Sequence, residues 1–367
     1  MATLTQASNQ WRTRPADQRY TSLEDMLTHF RSLRARSRSA VVSSRQITAL
    51  AASDDPIYGL AIAGPTGATY APSNWAFGQL ATLAGAPAGY LCSVPAPLAA
   101  DCINYGLKVA RDVEDVGLLL HKPADGEGEL RAATGPRYGR VWNADVTEAL
   151  VSRFGDGLTG DFTVPGEFGK AITANKSNTT LYASDRDMFV FLADEKNRIE
   201  VPNRRNGEAG TLARGFFIWN SETGAQTLGI GMFLFDYVCM NRIIWGAQDY
   251  REIKIRHTSA APDRFIEEIV PAMEAMANSG TDSLTKAIAD ARQARLDTSV
   301  EAFLANRQFS KGQIVGITAA HMADEGRPME TLWDVTTGIT AYARNVHHQD
   351  ARIVLERAAG DIMAMAA

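Results

Sequence analysis

The stretch Arg214–Gly246, RGFFIWNSETGAQTLGIGMFLFDYVCMNRIIWG, constrains the fold more than any other part of this chain. Its aromatic and branched residues suit a pleated sheet. Successive side chains of a strand point to opposite faces, so Phe217 and Trp219 share one face while Phe216 and Ile218 share the other. One aromatic pair can then face outward. The stretch is either the buried centre of a sheet or a surface that grips something flat and charged. Gly229 and Gly231 alternate on one face, where they leave room for close packing rather than for a ligand.

The surrounding patterns extend the sheet. TTLYAS, DMFVFLAD and RIEVPN read as three short strands at hairpin spacing, and YREIKIRH adds another. Nearer the start, TSLEDMLTHFRSLRARS places Leu23, Met26, Leu27, Phe30 and Leu33 on one helical stripe, with Glu24 and Asp25 in the first turn and a basic end. AVVSSRQITAL and IYGLAIAG read as strands and GPTGATYAPSN as a loop. A helical hairpin follows with Ser73 as its N-cap, then a strand pair VGLLLHK and GELRAATG, then a helix capped by Asn143. From Pro262 onward the chain reads as successive helices. The expected fold is α+β: a basic arm and helix over 1–46, a mostly antiparallel sheet with a helical hairpin over 47–257, and a helical region over 258–367.

The chain has 367 residues, 45% apolar and 22% charged, the balance of an ordinary globular protein with a sizeable core. Its apolar runs fall well short of the roughly 20 residues of a membrane span, and the first residues are polar. The expectation is a cytoplasmic protein with no membrane partner. Three cysteines without a close pair fit a reducing compartment and speak against a structural zinc. A net charge of −5 rules out a global basic field. Residues 1–46, however, carry eight arginines against three acidic residues, and Arg31, Arg34, Arg36 and Arg38 crowd together. Such an arm can meet a polyanion, or dock on the protein's own acidic body or a neighbouring subunit.

Motifs for catalysis are absent. The chain has no GxSxG elbow, phosphate-binding GxxxxGK[ST] loop or HExxH. His321 with Glu325, and His347, His348 and Asp350, read as surface polar groups rather than metal ligands. Asp54, Asp55, Asp185 and Asp187 lie beside turns and read as turn and cap residues. The hairpin after Ser73 starts its second helix with Ala86, Pro87, Ala88 and Gly89, which offer nothing to a base edge. No catalytic residue, cofactor or metal is expected. The remaining candidate is a basic face on the sheet. In IKIR, Lys254 and Arg256 point away from Ile253 and Ile255, and Arg204, Arg205, Arg214 and Arg242 lie in the same region. Arginines neutralise phosphates and exposed aromatics stack on bases, so these residues with Trp219 form the expected nucleic-acid-binding set.

The segments SNWAFGQLATLAGAPAGYL, RGFFIWNSETGAQTLGI, FLFDYVCMNRIIWG and LWDVTTGITAYAR resemble the phage- and plasmid-associated proteins grouped as domain of unknown function 932. The resemblance runs along nearly the whole chain and carries no catalytic residues. It implies a setting of mobile-element DNA maintenance, recombination or evasion of host defence. The order of elements is also loosely similar to single-strand annealing proteins, which work as rings. The expected function is therefore a non-enzymatic homo-oligomer that binds single-stranded nucleic acid without sequence preference, in recombination or strand annealing. Two alternatives stand beside it. One is a protein-interaction factor that counters a host defence or replication protein; the other is an enzyme whose site assembles from scattered residues.

Overall fold

A computed structural model describes residues 9–64, 67–122, 128–165, 176, 179–202, 209–237, 241–245 and 252–366. The arm contributes β1 (Gln18–Arg19) and α1 (Leu23–Ala35). Ser22 starts α1 by accepting the Asp25 N–H, and Leu23, Met26 and Phe30 are buried, as the stripe predicts.

The next strands are β2 (Ser37–Ser43), β3 (Thr48–Ala51), β4 (Leu60–Ala63), β5 (Thr69–Pro72), β6 (Asp115–His121) and β7 (Gly128–Thr134). They form a six-stranded sheet in the order β2-β6-β7-β5-β4-β3, antiparallel except where β5 runs parallel to β7. The segment TYAP, expected in a loop, is thus a strand, because β7 supplies ladder partners that local sequence does not reveal. Between β5 and β6, α2 (Asn74–Ala84), α3 (Ala88–Leu91) and α4 (Ala96–Tyr105) pack on this sheet as a helical hairpin. Ser73 caps α2 through the Ala76 N–H, and Gly85 ends it at φ 68°, in the left-handed region that favours glycine. Trp11 of the arm is fully buried in this lobe, its ring 4.6 Å from Phe77.

After α5 (Asn143–Phe154) comes the second sheet: β8 (Leu181–Ala183), β9 (Met188–Val201), β10 (Gly210–Asn220), β11 (Leu228–Asp236), β12 (Asn241–Trp245) and β13 (Ile253–Ile255). Its order is β1-β8-β9-β10-β11-β12, and β13 also pairs with β11, next to the residues that pair with β12. Two expectations change here. DMFVFLAD and RIEVPN are one strand of 14 residues, β9, which keeps pairing with β10 past a register shift between Ala213 and Gly215. Asn143 is the first residue of α5 rather than its cap, and the carboxylate of Glu222 receives its backbone N–H at 2.8 Å.

The C-terminal helices are α6 (Ala261–Arg264), which passes through a π turn (Phe265–Ile269) into α7 (Val270–Ala277), then α8 (Asp282–Gln293), α9 (Val300–Ala305), α10 (Lys311–Glu325), α11 (Leu332–Ala343) and α12 (Gln349–Ala364). They cover the seven-stranded sheet. Phe216 and Ile218 join a core with α1, α5 and the α6–α7 segment. Phe217 and Trp219 join a separate aromatic core with Phe191, Phe233 and Ile353 of α12. The predicted alternation holds, but both faces are buried. Trp219 lies across from Gly229 in the ladder, where a Cβ would collide with Cζ2 of the indole, so the glycine makes room for the ring. His321 and Glu325, expected on the surface, are buried beneath α11, where the His321 ring approaches Thr337 Oγ1 at 3.4 Å. Among the described residues no helix is long and apolar enough to cross a membrane.

Candidate nucleic-acid interface

The sequence-predicted basic residues divide by burial. Arg214 is 5% exposed and lies 2.9 Å from Asp194, while its guanidinium also donates to the carbonyls of Met276 and Ala277 at the end of α7. Arg242 is 1% exposed, paired with Glu356 at 2.9 Å and Gln349 at 2.7 Å on α12, with its guanidinium 3.9 Å from the Phe191 ring centre. Both arginines dock helices onto the sheet, and neither has a surface to offer a phosphate. Trp219 is 2% exposed, stacked on Phe217 and beneath Arg357 at 5.0 Å, and it borders the cleft that also holds Lys254 and Arg256. Of the arm, Arg31 and Arg34 pair with Glu148 and Asp145 on α5, while Arg36 and Arg38 are exposed. Arg204 and Arg205 lie outside the described residues.

Lys254 and Arg256 remain exposed on and beside β13, while Ile255 between them is fully buried. They line a cleft of about 560 Å³ that Arg357 of α12, Tyr138, His257 and the turn before β11 complete. Glu252 holds Lys254 at 2.6 Å and Arg357 at 2.8 Å, so two cations share one carboxylate. Arg256 has no ion pair among the described residues. The Tyr138 and His257 rings stack at 4.8 Å and 22°. His257 Nδ1 faces the Gly139 carbonyl at 3.0 Å, and burial lowers its pKa, which keeps the imidazole neutral at neutral pH. Its Nε2 is buried and has no hydrogen-bond partner among the described residues. Arg357, Tyr138 and His257 were missed by the sequence reading. Arg357 reaches the cleft only because α12 packs on the sheet, and no spacing along the chain carries that information.

The cleft is framed by an unusual turn. Residues 221–223, between β10 and β11, are at most 2% exposed although hairpin turns ordinarily meet solvent. The turn inserts between the sheets. Trp75 Nε1 and Gln79 Nε2 both donate to the Thr223 carbonyl, at 2.9 and 2.8 Å, and Tyr138 donates to Ser221 O at 2.8 Å. The Arg140 guanidinium donates to the Glu222 carbonyl, and Arg131 approaches the Glu222 carboxylate at 2.8 Å. These bonds satisfy backbone groups that would otherwise be stranded, and they fix Tyr138 at the cleft wall.

Of the acidic residues beside turns, Asp55, Asp185 and Asp187 are turn and cap groups, as expected. Asp55 accepts the Tyr58 N–H, Asp185 accepts the Trp75 N–H at 3.0 Å, and Asp187 holds Ser184 at 2.6 Å. Among the described residues no group of three or more His, Cys, Asp or Glu side chains is arranged to hold a metal ion. No curated protein and no solved structure matches the chain. The sequence profile of one family matches residues 175–360, from just before β8 into α12, a narrower span than the near-full-length resemblance and one that leaves the six-stranded lobe outside. That match covers half of the chain, and the chain belongs to the family described as domain of unknown function (DUF932).

Proposed function

We propose that this protein binds single-stranded nucleic acid through its sugar–phosphate backbone, without reading sequence, and serves DNA metabolism of a mobile element in recombination or strand annealing. The observation that carries the reading is the cleft in which Lys254, Arg256 and Arg357 outnumber Glu252 beside the stacked Tyr138 and His257 rings. Clustered cations attract phosphates and a partly exposed ring pair offers a flat surface to an unstacked base. No helix end in this cleft presents side chains to a duplex groove, which favours a flexible single strand. The proposed setting is cytoplasmic, in keeping with the unpaired, half-buried Cys92 and Cys102.

The test is a titration of labelled oligonucleotides, one oligothymidine, one of mixed sequence and one duplex, against wild-type protein and the Lys254→Ala/Arg256→Ala variant. Both single strands should bind with similar affinity and lose it to a similar degree in the variant. Binding that discriminates strongly between the single strands, or that ignores the double substitution, contradicts the reading.

A further inference from the structure

A second, more enclosed space lies between the two sheets. It is a chamber of about 230 Å³ walled by α1, by β7, and by the starts of α2 and α5. This is smaller than the ~300 Å³ at which drug-sized pockets begin, so it holds a single ring system rather than a whole nucleotide. Glu129 and Arg131 occupy positions two apart on β7, so both side chains leave the same face of the strand and enter the chamber together. Phe30 and Leu33 of α1 form an apolar wall, and His29 and Gln18 stand at a passage to a second surface hollow that they also line.

The polar groups of the chamber are incompletely used. Glu129 Oε1 accepts from Gln10 at 3.1 Å, and its other oxygen has no partner among the described residues. The buried Arg131 touches one carboxylate, Glu222, at 2.8 Å, and that contact falls outside hydrogen-bond geometry. Its remaining donors meet no protein acceptor among the described residues. Arg131 Nη1 is a buried donor left without an acceptor, which is costly, and the guanidinium lines the chamber together with the half-buried carboxyl of Glu129, a donor and an acceptor that the edge of a ligand can meet.

Apart from Glu129, the charges of the chamber are already paired. Arg131 faces Glu222, and Asp185 faces Arg186 at 3.0 Å. Burial and the neighbouring Arg131 lower the pKa of His29, and burial raises that of Glu129, so the space disfavours added net charge. A phosphate or a multiply charged metabolite is a poor fit. A neutral ring can lie against Phe30 and Leu33 while presenting an acceptor and a donor on adjacent atoms.

We propose that this chamber binds a neutral heterocycle with a lactam edge, as in uracil or hypoxanthine, Arg131 donating to its carbonyl and Glu129 accepting from the adjacent N–H. The site is separate from the basic cleft and does not depend on nucleic-acid binding there.

Calorimetric titration of the full chain with 1-methyluracil and 9-methylhypoxanthine, against 1,3-dimethyluracil and 1,9-dimethylhypoxanthine, tests it. The first two should bind at least tenfold more tightly than the last two, whose methylated ring nitrogen has no N–H for Glu129 to accept. Glu129→Gln should weaken lactam binding at least tenfold. Leu33→Trp, which fills the chamber without touching the polar edge, should do the same, and melting curves establish that both variants are folded. Lys254→Ala/Arg256→Ala should leave this binding unchanged. The proposal is overturned if no lactam probe binds, if 1,9-dimethylhypoxanthine binds as tightly as 9-methylhypoxanthine, or if folded Glu129→Gln and Leu33→Trp bind as wild type.

Discussion

Arg214, Arg242 and Arg256 carry the same side chain, and their surroundings give it opposite roles. The first two lie in ion pairs with Asp194 and Glu356 inside the protein. Removing one partner of a buried pair strands the other charge, so Arg214→Ala should cost about 3–5 kcal/mol in urea unfolding. Arg256→Ala, at an exposed position, should change stability by no more than about 0.5 kcal/mol. Asp187 gives a pH test. It is 3% exposed, and burial pushes its pKa from 3.8 up to about 7. The folded protein then keeps a proton that the unfolded chain has lost, so this contribution to stability is complete below about pH 4 and gone by about pH 7. Asp187→Asn, which stays neutral, should therefore gain stability relative to wild type as the pH rises from 5 to 8. A constant difference across that range would show that Asp187 does not titrate there. At this scale the IKIR alternation made Lys254 and Arg256 legible in the sequence. The burial of Arg214 and Arg242 was not legible, because their acidic partners lie 20 and 114 residues away.

Elements with strong local signals were readable, and those defined by distant partners were not. The stripe of α1 and the Ser73 cap of α2 depend on neighbours three or four residues apart, and both are found. The continuity of β9 and the strand character of TYAP depend on β10 and β7. The same holds for the turn after β10, whose acceptors are taken by Trp75, Gln79, Tyr138 and Arg140. Glu222→Ala should leave Arg131 buried without its carboxylate and destabilise by about 3–5 kcal/mol. On β10 itself, Phe216 sits 5.0 Å from Phe154 and 5.4 Å from Phe162 in a core with no exposure, so Phe216→Ala should cost about 3–5 kcal/mol. Trp219→Ala should likewise register as lost stability, because its indole packs on Phe217 and beneath Arg357. A Trp219 variant with parental melting and weakened oligonucleotide binding would put the indole back on the binding surface.

Across the whole molecule, the basic arm is built into both lobes. Trp11 is in the core of the six-stranded lobe, Gln18 and Arg19 pair with β8, and Arg14 and Asp17 bind Asp350 and Gln349 of α12. Self-docking, one of the two outcomes open to such an arm, accounts for much of its charge, and deleting residues 1–20 would disturb folding together with any phosphate contact. The cleft beside β13 therefore offers the cleaner test of nucleic-acid binding. If Lys254 and Arg256 each neutralise a phosphate, they release counterions on binding, and each lost contact on a single strand flattens the slope of log K against log salt by about 0.7. The most direct measurement is that slope for an oligothymidine, taken with wild type and with Lys254→Ala/Arg256→Ala at matched pH. The account predicts a slope shallower by about 1.4 in the variant, with unchanged melting. Identical slopes, or no binding by the wild type at low salt, would contradict it and favour the protein-interaction reading.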